Sequence, residues 1–453
     1  MAEAGFGVAD ITPEIGALTS LSMHCKVTRI ITPLQIKICL IRMGEQMTAI
    51  VSVDTTSLYS CTIADMRRVI AKTAGLLEEH IFINSTHTHS SPFLHRSAQD
   101  CLKPWQLQFL DDDYYEYVLQ GAVEAATKAK GSMAAVQFRF SKGIVREVAC
   151  NRRVTLPDGT IGVRYGRGVS AELRAYPDGL IDPEVSCTWL VGSQGDLMGC
   201  LINYACHATT YHQPTEICWD YPGYAAQTVE RELGGICLFL QGCAGNISPG
   251  KYTIGEPLED SMKLGRRVAD AAIESYSSAG AVMVDGLLIS CEHIETELRI
   301  LRSMEDLKRA LTVEIEKYFT ESGDLSVGSS GTNIMSLAER IVLLGKYPGR
   351  QMLSEIAVIG LGTIVFVFLP GEMFVECALS LKAKFPMLNL MIMAYTDVSL
   401  EYVPIRAAFE EQGGYETCEE WCFSVPGNAE IMEEKAANMI PEFPKEQEER
   451  IFS

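Results

Sequence analysis

Positive charge is scarce in this 453-residue chain: 38 Lys and Arg stand against 58 Asp and Glu, a formal net charge of −20. A surface of that sign repels a nucleic-acid backbone, and no polybasic run offsets it, so no nucleic-acid partner is expected. Also missing is an apolar run of membrane-spanning length. The longest, Ile356 to Leu369, is interrupted by Gly360, Leu361 and Gly362, which suits a β-hairpin better than a membrane helix of ~20 residues. No stable membrane insertion is expected. The first ten residues, Met1 to Asp10, show no basic segment followed by an apolar stretch. They do not read as a secretion signal, and a cytoplasmic location is the expectation. Repeats and low-complexity tracts are lacking as well.

Cysteine, by contrast, is plentiful. The fifteen cysteines are odd in number and scattered, which argues for reduced thiols rather than a disulfide framework. Cys418 and Cys422 have half the spacing of a metal site, but no second pair stands nearby. Cys206, beside His207, reads as a small buried residue.

Hydrophobic residues at 47% and charged residues at 21% are the balance of a soluble globular protein. Strand-length apolar runs occur at Ala49 to Val53, Ile81 to Asn84, Leu197 to Tyr204, Ile236 to Leu240, Thr363 to Leu369 and Leu388 to Ala394. Helical periodicity occupies Ile63 to Thr73, Tyr114 to Lys130, Tyr221 to Leu233, Leu258 to Tyr276, Met304 to Phe319, Ile334 to Leu344 and Phe374 to Lys384. The alternation predicts an α/β (mixed α+β) fold, one large domain with central β-sheets flanked by helices. Residues 303–345 read as a helical excursion, with the Ser- and Gly-rich Glu321 to Asn333 as its flexible connection. Leu102 to Tyr117 reads as a helix with its leading turn, or as a loop over the site.

Five of the strands end in short polar loops carrying residues useful to a metal or an acyl group. Ligands of open α/β sheets gather at the carboxyl ends of strands, so the active site is expected there. The first loop is Thr86-His87-Thr88-His89-Ser90-Ser91-Pro92. In an extended chain His87 and His89 share a face, so that one can bind a metal while the other reaches the reacting group. Imidazole suits Zn2+, although a strand-end histidine is often simply a hydrogen-bonding residue. The second loop holds Cys206-His207-Ala208 and, further on, His212; either histidine is a candidate ligand. The third, Gln241 to Gly250, has glycines that admit a substrate or an oxyanion site, or that merely make a turn. The fourth, Pro370-Gly371-Glu372, sets a carboxylate at a helix start, where the helix dipole alone favours it. The fifth, Asp397 to Pro404 followed by Gly413-Gly414-Tyr415-Glu416, offers Tyr402 and Tyr415 as ligands, proton donors or packing aromatics.

In this order the segments resemble the N-terminal catalytic domain of the neutral ceramidase family, zinc amidases that remove the fatty acyl chain from ceramide. The resemblance runs from Asp10-Ile11-Thr12-Pro13 through THTHSSP, Asn151-Arg152, Asp220-Tyr221-Pro222-Gly223-Tyr224, GNISP and PGE to GGYE. It implies one zinc per chain, held by His87, His207, Glu372 and the phenolic Tyr402, with a water at the open position. His89, Arg152, Ser248 and Tyr415 match the positions around the reacting carbonyl, the serine among them being regarded as essential. The implied chemistry is attack by an activated water on an amide. Tyr415 and Arg152 would stabilise the oxyanion, and His89 would deliver a proton to the amine. Direct attack by Ser248 is the alternative, although its loop shows no neighbouring base. Asp54 and Asp220 are candidates for orienting the ligand histidines.

Two departures bear on the substrate. Ser91 stands where the family has glycine, and with the sequence ending soon after GGYE no C-terminal immunoglobulin-like domain of the family's kind is expected. The expected substrate is therefore a soluble or lipid-like small-molecule amide rather than membrane ceramide. An ester, a lactone or another polarised bond is the first alternative, and a non-catalytic binding protein the second. A homo-oligomer stays open.

Overall fold

The computed structural model describes residues 2–19, 25–320 and 330–441. Strand side chains alternate between two cores. Along Gln35–Met43, Ile36, Ile38 and Leu40 enter one, while Cys39 and Ile41 enter the other, the period of two expected of a strand covered on both faces. This strand lies in a nine-stranded mixed sheet. Its order is Ile236–Gln241, Leu197–Tyr204, Glu184–Gly192, Ala134–Ile144, Ala2–Asp10, Gln35–Met43, Gln46–Val53 and Ile81–Ser85, with Gly280–Val282 also paired to Ala134–Ile144. The inner pairings are antiparallel and the outermost pair at each edge is parallel.

The sheet curls until its edges meet. Gln241 N donates to Asn84 Oδ1 at 2.7 Å, and Ser52 Oγ donates to the Phe239 carbonyl at 2.6 Å. Helices Ser60–Ala74, Asp112–Gly131, Asp220–Leu233 and Pro257–Tyr276 supply much of the first core. Gly5 and Gly7 let Asp112–Gly131 lie directly on its strand, because a Cβ at either would sit 2.0 Å from a helix carbonyl.

A four-stranded sheet, Leu288–Glu297, Gln351–Leu361, Ile364–Phe368 and Asn389–Met393, encloses the second core. There Phe82 of the large sheet stacks on Phe368 of the small one at 4.8 Å. Full burial of such a side chain contributes about 1.5–3 kcal/mol. The parallel pair Ile364–Phe368 and Asn389–Met393 is tied to the large sheet through Asn203, whose side chain accepts from Ile392 N and donates to its carbonyl. Three parallel pairs thus bring their carboxyl ends to one region.

Every expected strand and helix is present, with ends displaced by a few residues. The hairpin within Ile356 to Leu369 turns at Gly362 and Thr363, at the last of its glycines, and Gly362 supplies the positive φ of 59°. Leu102 to Tyr117 enters the helix Asp112–Gly131 through a leading turn, and Phe109, Tyr114 and Tyr115 are buried in the first core rather than held over the site. Met304–Thr320 and Ser330–Lys346 are the two helices expected in the 303–345 region. Their expected connection falls, over 321–329, outside the described residues. All fifteen cysteines are free thiols. Cys418 donates to the Gly414 carbonyl, and Cys422 to those of Tyr402 and Ser424. Among the described residues no helix is long and apolar enough to cross a membrane.

Candidate active site

His87 follows the edge strand Ile81–Ser85, and the chain is not extended there. Its φ of 63° is left-handed, a conformation that costs of order 1–3 kcal/mol outside glycine and persists where surrounding contacts impose it. The turn sends the imidazole inward, where Nδ1 donates to the Thr56 carbonyl at 2.6 Å. His207, beyond Leu197–Tyr204, does the same toward Ala244, at 2.7 Å. Each carbonyl fixes the tautomer and leaves an Nε2 lone pair facing the site. Burial lowers both pKa values, that of His87 to about 3, so both rings are neutral. His89 joins them with its Nε2 3.2 Å from that of His87, and donor atoms of His87, His89 and His207 lie within 4.8 Å of one another. This trio could hold a metal ion.

Glu372 approaches from the small sheet. Its Oε2 lies 3.1 Å from His207 Nε2 and 3.7 Å from His87 Nε2, yet receives no hydrogen bond and is shut off from solvent. With both imidazoles neutral these contacts are not ion pairs. Gly245 makes room for this strand, because a Cβ there would meet the Glu372 carbonyl at 2.2 Å. Glu372–Met373 pairs in parallel with Tyr402–Val403, which brings the Tyr402 hydroxyl to 3.4 Å from His207 Nε2. The same hydroxyl is 3.4 Å from that of Tyr415, whose pKa burial pushes up to about 12. The Arg152 guanidinium lies over both tyrosine rings, at 5.0 and 4.9 Å, and its Nε is 2.9 Å from Glu416.

Other residues named from the sequence are placed elsewhere. Ser248 Oγ donates to the Arg164 carbonyl at 2.8 Å, with neither a histidine nor a carboxylate among its hydrogen-bond partners. Asp54 receives Gln35 N and the Thr86 hydroxyl, while Asp220 receives Thr210 Oγ1 and the amides of Tyr211 and Tyr221. Neither carboxylate bonds to His87 or His207, whose Nδ1 atoms meet the carbonyls of Thr56 and Ala244 instead. Cys206 is fully buried, with its thiol turned to backbone carbonyls and its pKa raised by burial. His212 lies beside His89, their ring centroids 5.3 Å apart.

The sequence model of the neutral/alkaline non-lysosomal ceramidase N-terminal region matches residues 5–281, more than half of the chain. The chain belongs to the neutral/alkaline non-lysosomal ceramidase family. The crystal structure of neutral ceramidase from Pseudomonas aeruginosa resembles it with a TM-score of 0.71 at 18% identity, covering 97% of this chain and 74% of that one. A second solved structure, a ceramidase complexed with C2, gives 0.70 at 17% identity with the same coverage. At these identities the likeness shows the fold. No curated relative matches the sequence.

Within this ceramidase-family site three residues went unnoticed in the sequence. Tyr395, one residue beyond the expected strand, has a left-handed φ of 59°, packs its ring 4.3 Å from that of His87 and brings its hydroxyl to 3.4 Å from His207 Nδ1. The rule of carboxyl strand ends would have found it. Glu416 stands in the GGYE motif but takes its meaning from Arg152 and Arg153, both paired to it. Tyr165, stacked on Tyr415 at 5.5 Å, carries no sequence signal at all.

Proposed function

We propose that the protein is a zinc-dependent hydrolase that cleaves an N-acyl amide with an activated water. The observation that carries this reading is Glu372 Oε2, a buried carboxylate oxygen without a hydrogen-bond donor, 3.1 and 3.7 Å from the Nε2 atoms of two imidazoles. Left alone, such a buried group is costly by several kcal/mol, of order the penalty for an unpaired ion after relaxation. A cation bound between the carboxylate and the imidazoles removes that penalty. His87, His207, Glu372 and Tyr402 would hold it, the N and O donor set that suits zinc. Zinc supplies a Lewis acid for the carbonyl and lowers the pKa of its water toward ~7.

The chain's own groups do the rest. Thr56 and Ala244 hold the two imidazoles in the tautomer that faces the site. Tyr415, still protonated at neutral pH, and Arg152 donate to the oxygen that gains charge as the carbonyl becomes tetrahedral. Glu416 and the Gly245 carbonyl fix the guanidinium in place for this. His89, whose Nε2 lies 3.2 Å from that of His87, would pass the departing nitrogen a proton. Ser248 supports the floor through Arg164 rather than acting as nucleophile, since a serine needs an adjacent base to attack.

The test is metal titration of the chelator-stripped protein. Zinc should bind at one ion per chain and restore amide hydrolysis in proportion. Full activity of the stripped protein would overturn the reading.

A further inference from the structure

Tyr395 touches both imidazoles assigned to zinc from a fully buried position. Its ring lies 4.3 Å from that of His87, tilted by 38°, and 6.0 Å from that of His207, turned by 82°. The two imidazoles are themselves 4.5 Å apart and nearly perpendicular, at 85°. The Tyr395 hydroxyl approaches His207 at Nδ1, the nitrogen opposite the one aimed at the site. Tyr395 therefore stands behind His207 rather than before its lone pair.

Its backbone joins the segments that carry the ligands. The Tyr395 carbonyl accepts from Ser85 N at 3.4 Å and from Ser85 Oγ at 3.5 Å, just ahead of His87, and its amide donates to the Gly371 carbonyl at 3.0 Å, just ahead of Glu372. Ala394 N donates at 3.2 Å to the carbonyl of Gln241, which ends the strand paired with the one leading to His207. At this junction Tyr395 is left-handed, with φ 59°, as His87 is with φ 63°. Glycine takes that conformation freely and tyrosine does not, so a position that served only as a turn would favour glycine. The strained turn is held because of the side chain it presents.

Ring and hydroxyl are not equal in this. His207 Nδ1 already donates to the Ala244 carbonyl at 2.7 Å, and a hydroxyl at 3.4 Å adds little to that bond. We propose that Tyr395 is a positioning residue of the metal centre, its ring being a wall shared by His87 and His207 that keeps their Nε2 atoms at the spacing the ion needs. This rests on the zinc-hydrolase reading and names a residue on which the zinc site depends. Groups that orient metal ligands without touching the metal govern its affinity by roughly 10–100-fold. Tyr395 does so by packing, where Thr56 and Ala244 do so by hydrogen bonds.

The test compares Tyr395→Phe, Tyr395→Leu and Tyr395→Gly with Phe138→Leu, the same truncation at a buried aromatic of the second core. Three measurements are made on the full chain: zinc affinity by competition with a chelating dye, the visible spectrum of the Co2+-substituted protein, and urea unfolding of the zinc-free protein. Tyr395→Phe should hold zinc within about threefold of the unmodified protein and keep its Co2+ spectrum, because it keeps the ring. Tyr395→Leu and Tyr395→Gly should bind zinc at least ~10-fold more weakly and alter the spectrum, which reports the geometry of the ligands. Phe138→Leu should lower the unfolding midpoint and leave affinity and spectrum as they were. Tyr395→Leu, the closer in size to tyrosine, decides the matter if Tyr395→Gly does not fold. Unchanged affinity and spectrum in Tyr395→Leu, a loss in Tyr395→Phe as large as in Tyr395→Leu, or an equal zinc loss in Phe138→Leu overturns the proposal and leaves the zinc reading standing. Absence of zinc binding by the unmodified protein overturns both.

Discussion

Two buried acidic clusters share a backbone hydrogen bond, Glu372 N to the Glu401 carbonyl at 2.9 Å, and are assembled from the same residue types. Around Glu372 stand His87, His207 and Tyr402; around Glu401 stand Glu339, Tyr59 and His95. In the second cluster the Tyr59 hydroxyl donates to Glu401 at 2.9 Å. Burial raises the pKa of both carboxyls and their mutual repulsion adds to that of Glu401, so the pair retains a proton. His95 stacks on Tyr59 at 3.7 Å and accepts from Ala98 N, capping a helix through the nitrogen that donates in the other two histidines. Burial raises the pKa of Glu372 as well, but its Oε2 has no hydrogen-bond donor. Residue type therefore does not separate the two clusters; a buried carboxylate oxygen without a hydrogen-bond donor, facing two imidazole nitrogens, does.

The two clusters should part most visibly at their histidines. His87→Ala should lose bound zinc and lower kcat/KM by at least ~10³-fold, about 4 kcal/mol of barrier. His95→Ala should keep its zinc and lose only ~1 kcal/mol of stability with the helix cap. Metal analysis of both variants, with equal zinc loss as the adverse result, decides between them. Next in size is Gly245→Ala, whose methyl runs into the Glu372 carbonyl. It should destabilise by about 1–3 kcal/mol and weaken zinc binding, read by urea unfolding and by competition with a chelating dye.

The acid pair predicts a pH signature. Carboxyls with folded pKa values above the unfolded ones stabilise the fold fully below the unfolded value, near 4.5, and lose that contribution as pH rises through the folded value. Glu339, whose carboxyl burial pushes up to about 7, should therefore give up its contribution between pH 5 and pH 8. Glu339→Gln removes that titration, so the fall in stability across this window should shrink by ~1–3 kcal/mol, because a tenfold change in proton affinity is worth ~1.4 kcal/mol. An unchanged slope in denaturation curves at the two pH values would show that the pair is not protonated. Smallest of all, Cys418→Ser should change stability by under ~0.5 kcal/mol and leave zinc content untouched, because the thiol bonds only a backbone carbonyl.

Much of the frame was legible because its signals are local. Leu197 to Tyr204 and Ile236 to Leu240 are uninterrupted apolar runs, and a parallel strand buried on both faces can hardly read otherwise. Strands such as Ala134–Ile144, with Gln137, Arg139 and Lys142 among apolar residues, gave no comparable run. His87, His207, Glu372 and Tyr402 were legible as a set because each follows a strand end in a recognisable order. The left-handed turn at His87 was not, since it answers to Thr56, a residue on a different loop. Nor was the separation of Asp54 and Asp220 from the histidines, since carbonyls carry no side-chain signature.

What the sequence by itself determined is which elements form, that the chain carries the ordered motifs of the neutral ceramidase family, and which donor atoms are available. Periodicity, turn residues and motif order are properties of neighbours along the chain. What only the tertiary structure decided is which of two similar acid and histidine groupings leaves a carboxylate oxygen without a hydrogen-bond donor, that Ser248 faces a carbonyl, and that Tyr165 stacks on Tyr415. Each of these depends on contacts between residues distant along the chain, and whether a buried polar atom is satisfied can be read only once its neighbours in space are known.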